Sequence, residues 1–121
     1  MPNKNSLENC TSSVNCVSSV SDNQKHNIAP ISYNGSSEHA YETLLKVLNS
    51  MKNTDITEME KNYIRAECKS NWLKLTAELE FLIDEQTKII DVRSASRKGV
   101  PDFGANRKRV ERIRQKFIQK V

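Results

Sequence analysis

The feature that most constrains this chain is a two-residue rhythm running from residue 55 to residue 97. Segments 55–60, 63–70, 73–83 and 89–97 alternate, with polar breaks at Lys61-Asn62, Asn71-Trp72 and Asp84–Lys88. Successive side chains of a strand point to opposite faces, so such a rhythm sorts residues onto two surfaces. One surface carries Thr57, Met59, Ile64, Ala66, Cys68, Leu75, Ala77, Leu79, Phe81, Ile83, Ile90 and Val92. The other carries Glu58, Arg65, Glu67, Glu78, Glu80, Asp91 and Arg93. One apolar and one charged face is the pattern of a half-buried antiparallel meander. The shortest turns predict a register: Met59 opposite Ile64, Glu58 opposite Arg65, Cys68 opposite Leu75, Arg65 opposite Glu78, Phe81 opposite Val92, and Glu80 opposite Arg93. A slip of one residue would mix the faces, whereas a slip of two would preserve them.

On either side of the meander the period lengthens to that of a helix. Ser36 and Ser37 are N-cap residues, and Tyr41, Leu44, Leu45, Leu48 and Met51 follow at helical spacing. Glu38 and Glu42 suit the positive end of the helix dipole and Lys52 its negative end, so a helix is expected over about 37–52. Gly99, Pro101 and Asp102 stop the last strand, with Asp102 as the expected N-cap of a second helix over about 104–119. Val110, Ile113, Phe117 and Val121 form its apolar stripe, with Arg107, Lys108, Arg112 and Arg114 beside or opposite it. The basic C-terminal half of this helix suits the dipole. Two helices and a one-faced sheet bury each other best as two layers. The expected fold is therefore α+β: a two-layer sandwich of a four-stranded antiparallel meander with two helices on one face. A polar, irregular N-terminal arm over 1–36 precedes a single compact domain over 37–121, with Ile28, Ile31 and Tyr33 tacking the arm down. A length of 121 residues supports one such core.

The net charge of +4 hides an asymmetry. Lys98 to Lys120 holds eight basic residues against two acids, and the remainder is mildly acidic. Three cysteines are too few for a disulfide framework. Cys10 and Cys16 are close enough to close a short loop under oxidising conditions, and Cys68 reads as a small buried residue. No apolar run approaches membrane-spanning length, and the polar start shows no secretory segment. A soluble, cytoplasmic chain with reduced thiols is the default expectation.

Arg93-Ser94-Ala95-Ser96-Arg97-Lys98-Gly99, then Asp102-Phe103-Gly104 and Asn106-Arg107-Lys108-Arg109, resemble the signature of domain-of-unknown-function family 1499. Asn15-Cys16-Val17-Ser18-Ser19 resembles that family's N-terminal motif, and Glu80-Phe81 and the strand with Arg65 and Glu67 also fit. The resemblance covers about residues 10–118. Val14 stands where the family usually has Pro, and Ala77-Glu78 where it often has two Asp, so no metal role is expected there. The resemblance implies relatives that are often exported or plastid-targeted, and it implies no established activity, substrate or cofactor.

The chemistry-bearing residues converge on the end of the last strand. Parity points Arg93 and Arg97 to the charged face, and Ser94 and Ser96 toward the helices. With Asp102, Asn106 and Arg107 at the next helix start, they form an expected anion-binding corner. Glu58, Arg65, Glu78, Glu80 and Arg93 form an expected cross-strand charge network. The alternative for the Asn106-Arg107 pair is to turn inward, with Asn or Arg satisfying backbone groups at the strand-to-helix corner. The only histidines, His26 and His39, lie outside the motif block, and with Cys10 and Cys16 they match no zinc spacing. No cofactor or metal is expected. The reading is a non-catalytic binding or interaction module for an anionic small molecule or protein partner. An enzyme acting on a small anionic substrate is the alternative, with Glu78 and Glu80 as an acid/base pair. Nucleic-acid binding through the basic helix is third, disfavoured because its charges spread around the helix and no aromatic-basic run accompanies them.

Overall fold

A computed structural model describes residues 6–10, 15–69, 76–96 and 104–120. Its elements in chain order are β1 (Cys16–Ser18), β2 (Ile31–Ser32), α1 (Ser37–Ser50), β3 (Thr54–Glu60), β4 (Tyr63–Lys69), β5 (Thr76–Asp84), β6 (Ile89–Ser96) and α2 (Ala105–Lys120). Strands β3 to β6 form the antiparallel meander, and the sheet runs β1-β6-β5-β4-β3 with β2 also paired to β6. Both helices lie on its apolar face, which makes the fold α+β.

The faces match the alternation. Ile64, Ala66, Ala77, Leu79, Phe81, Ile83, Ile90 and Val92 are buried in one cluster with Leu44, Val47 and Leu48 of α1 and Val110, Ile113 and Phe117 of α2. Met59 pairs with Ile64, Glu58 with Arg65, Phe81 with Val92 and Glu80 with Arg93, as the turns predict. Asn62 closes the β3–β4 turn at φ 61°, a left-handed conformation that asparagine adopts more readily than most residues. Ser36 caps α1 by accepting from the His39 backbone N–H at 3.0 Å.

Three details differ from the sequence pattern. A β-bulge between Ile56 and Glu58 breaks the parity of β3, so Ile56 rather than Thr57 shares the face of Ala66. Thr57 is left exposed and donates to the Arg65 carbonyl at 3.4 Å. The β4–β5 pairing is offset by two residues: Cys68 meets Ala77 and Arg65 meets Glu80. A two-residue offset keeps every side chain on its face, and the expected partner Leu75 lies outside the described residues. Met59 faces the helix side but is 56% exposed, because β3 is the sheet edge and α1 leaves that end uncovered.

Within the N-terminal region the described residues contribute two short strands to the sheet. Cys16 pairs with Ala95 and Ser18 with Arg93, and Ile31 pairs with Ile90. These strands have three and two residues, too short for alternation to reveal. They close off β6, which would otherwise be an open sheet edge. Val17, Ile28, Ile31 and Tyr33 join the main core. Cys10 and Cys16 form a disulfide with a Cα–Cα separation of 5.6 Å, and the Ser18 hydroxyl donates to the Glu8 carbonyl at 3.3 Å.

Closing a loop this short restricts the unfolded chain by about 2 kcal/mol. Replacing both Cys10 and Cys16 with Ser is expected to lower unfolding free energy by that amount in urea titrations. An unchanged midpoint would show that the crosslink contributes nothing to stability.

Candidate functional site

The site begins at the second residue of α2. Strand parity turns Ser94 and Ser96 toward the helix layer, and the first turn of α2 brings Asn106 over them. Asn106 is fully buried and uses both ends of its amide. Its Oδ1 accepts from the Ser94 hydroxyl at 2.7 Å and from Arg109 Nη1 at 2.7 Å. Its Nδ2 donates to the Asn15 carbonyl at 2.9 Å and to Ser96 Oγ at 3.0 Å. The Asn15 carbonyl also accepts from the Ser96 backbone N–H at 2.8 Å. Thus the N-terminal motif, β6 and α2 meet at one side chain, and Arg109 is held by that junction. Among the described residues the buried Asn15 Oδ1 has no partner.

Arg109 also lines a cleft of about 730 Å³ between the end of α1, the β3 and β4 ends, and α2. Lys52, Lys69, Lys108, Arg112 and Lys116 line it as well, and no carboxylate is among its described lining residues. The Lys69 backbone N–H donates to the Asn53 carbonyl at 2.9 Å, which sets Lys69 next to the α1 exit. Lys108, Arg112 and Lys116 recur every four residues and share one flank of α2. The cations are therefore partly gathered into a stripe rather than spread evenly around the helix. Arg107 and Arg114 instead serve the N-terminal region: Arg107 donates to the Lys25 carbonyl, and Arg114 to those of Ala29 and Pro30.

Arg114, Lys116 and Lys120 give α2 the expected basic C-terminal half, but its N-terminal end is basic as well. No acid occupies its first turn, and Lys120 is the basic residue of its last turn. Arg107, Lys108 and Arg109 crowd the end that already carries partial positive charge. Cations there are unfavourable, each by a few tenths of a kcal/mol up to about 1 kcal/mol.

The opposite sheet face holds the expected charge network in a drier setting than a solvated surface. Glu80 is 7% exposed and Tyr63 is fully buried. The Tyr63 hydroxyl donates to Glu80 Oε2 at 2.6 Å, and Arg93 Nη1 donates to Oε1 at 3.4 Å. Arg65, directly opposite Glu80, reaches diagonally to pair with Glu78. Glu58 lies opposite Arg65. Arg93 Nε is buried and has no partner among the described residues. Arg97 and Asp102 lie outside the described residues, as does the expected cap at Asp102.

Cys10 and Cys16 are bonded to each other, and His26 Nδ1 lies 2.9 Å from the Cys16 carbonyl. Among the described residues, no three His, Cys, Asp or Glu side chains converge as a metal site, and no helix is long and apolar enough to cross a membrane.

The chain matches the family model described as "Protein of unknown function (DUF1499)" over residues 6–117. It belongs to the DUF1499 family. The match takes in the Asn15 motif, β6, the Asn106 junction and both histidines, so His26 and His39 fall inside the DUF1499 region. No curated protein and no solved structure matches the chain.

Sequence reasoning singled out Ser94, Ser96 and Asn106, which the structure brings together, but missed the cleft. The four-residue spacing of Lys108, Arg112 and Lys116 was the available signal. Nothing local links these residues to Lys52 or Lys69.

Burial pushes the Tyr63 phenol well above its ordinary pKa of 10.0, and the hydrogen bond to Glu80 and that residue's charge push it further. A raised folded pKa favours the neutral form, so this stabilisation is complete below the unfolded value and is lost as pH rises through the folded one. Unfolding free energy is expected to fall above pH ~10, and less steeply in Tyr63→Phe. Burial also raises the phenols of Tyr33 and Tyr41, so some slope remains in that variant. Identical alkaline slopes in denaturant titrations of the two proteins would refute the assignment.

On the same face, Arg93→Ala strips a mostly buried carboxylate of its cation and is expected to cost about 3 kcal/mol by urea denaturation. A loss within the scatter of surface substitutions would mean that Tyr63 alone satisfies Glu80.

Proposed function

We propose that this DUF1499 chain is a non-catalytic recognition module that binds an anionic ligand in the basic cleft. One observation carries the reading. Six cations from α1's exit, β4 and α2 line a single cleft without a carboxylate among its described lining residues, and one of them, Lys108, sits in the first turn of α2, with Arg109 directly after it. Like charges gathered this way repel, and cations at a helix N-terminus oppose its dipole. Sequences break such local rules mainly where function requires it. An anion in the cleft would reverse both penalties and meet the positive end of α2.

Arg109 is the anchor in this reading. Asn106 and Ser94 hold its Nη1 group, so little side-chain freedom is lost on binding. The lysines and Arg112 supply mobile charge around it. Ser94, Ser96 and Asn106 thus act from behind the cleft, and Arg93 acts with Glu80 on the opposite face. Glu78 and Glu80 are engaged by Arg65 and by Arg93 and Tyr63, which favours a binding role over acid/base chemistry there. The stripe of Lys108, Arg112 and Lys116 favours a second reading, contact with a nucleic-acid backbone.

A ligand that binds only the native state raises apparent stability, by about 2.7 kcal/mol at a hundred times its dissociation constant. Thermal unfolding in increasing phosphate, pyrophosphate and sulfate at constant ionic strength is expected to show a saturable rise in Tm. The rise should vanish in Lys108→Glu/Arg112→Glu, whose native fold circular dichroism would verify. A flat response to all three anions in the parent protein would defeat the reading.

A further inference from the structure

We infer that the ligand of the basic cleft is a compact molecule bearing several closely spaced phosphate groups, an inference that rests on the anion-binding reading above. The reason is a mismatch between the cleft and any single oxyanion. Lys108, Arg112 and Lys116 step about 6 Å apart along the helix axis, so the stripe extends about 12 Å. Lys52 and Lys69 approach from α1's exit and the end of β4. One tetrahedral anion can sit against a single turn of α2 and leave the far cations unneutralised. No hydrogen bond or ion pair to a described protein group engages the side chains of Lys52, Lys69, Lys108, Arg112 or Lys116. Their charge therefore awaits an external partner, and several anionic groups on one scaffold would meet it.

The shape argues for a compact scaffold over a long strand. The cations arrive from separate elements and surround a recess of about 730 Å³, well within the range of small-molecule sites. A binding track for a nucleic-acid strand needs charge that continues along the surface, and usually aromatic faces for the bases. Lys120 extends the α2 stripe by one turn but does not line the recess, and Ile118 and Gln119 beside it carry no charge. Arg107 and Arg114 are turned to backbone carbonyls of the N-terminal region. The described lining includes Met51, Cys68 and Ala105 but no aromatic ring. Arg109, fixed by Asn106, would take one phosphate near the α2 N-terminus, while the lysines and Arg112 collect its neighbours.

The test is calorimetric titration of the intact protein, at physiological ionic strength, with orthophosphate, linear tripolyphosphate, inositol hexakisphosphate and a short single-stranded oligothymidylate. Linking phosphates on one scaffold converts later contacts into intramolecular ones, so affinity is expected to rise at least about tenfold from orthophosphate to tripolyphosphate. Inositol hexakisphosphate set against tripolyphosphate separates a cyclic polyol source from a linear one. Lys108→Glu/Arg112→Glu should lose the gain. Lys25→Glu/Lys46→Glu, an equal charge change at exposed positions away from the cleft, should keep it. Equal affinity for orthophosphate and tripolyphosphate would overturn the inference while leaving anion binding intact. Tighter binding of the oligothymidylate than of either polyphosphate would overturn it in favour of a strand. Equal loss in the two charge variants would reduce the effect to diffuse attraction and overturn both readings, as would no binding of any probe.

Discussion

The carboxamide of Asn106 is the constraint on which the rest of the molecule turns. It is buried at the point where three parts of the chain meet, and burying an amide is tolerable only when its hydrogen bonds are made. Here both ends are used, on Ser94, Ser96, the Asn15 carbonyl and Arg109. The geometry fixes the start of α2 over β6 and pins the N-terminal motif to the same place. It also sets the direction of Arg109. A shorter side chain would leave the Asn15 carbonyl and two serines to find other partners in a region with little access to water.

Strand β6 carries the consequences to both faces of the sheet. Its even-numbered side chains build the core and the Asn106 junction. Its odd-numbered ones face the other way, where Arg93 meets Glu80 and Tyr63. That second cluster is buried although it lies on the charged side. Tyr63, Leu7 and Cys16 are buried outside the main core cluster. The disulfide from Cys10 to Cys16 ties the N-terminal segment to β1, whose Ser18 pairs with Arg93. The charged face of the alternation is thus partly withdrawn from water, and its ion pairs work in a less polar setting.

Charge is separated along α1. Its early residues, Glu38, Tyr41, Glu42 and Leu45, border an open groove with Met59 and Glu60. Its exit borders the basic cleft. The mild net charge therefore conceals two surfaces of opposite sign, and such local fields govern which ligands approach.

Much of this was legible before any folding was considered. Alternation placed Ile64, Leu79, Phe81 and Val92 on one face and Arg65, Glu80 and Arg93 on the other. Helical spacing placed Leu44, Leu48, Val110, Ile113 and Phe117 inward. These are local facts: backbone geometry within a strand or helix decides where each side chain points. Ser94, Ser96 and Asn106 were legible for the same reason. The bulge at Thr57 and the two-residue offset of β4 on β5 were not, because either arrangement keeps an apolar face available. The pairing of β1 and β2 with β6 was hidden by their shortness. Above all, only the tertiary structure brought Lys52, Lys69 and the α2 cations into one cleft and drew Tyr63 and Glu80 out of water. Convergence and desolvation depend on which distant surfaces come into contact, and no local pattern in the chain encodes that.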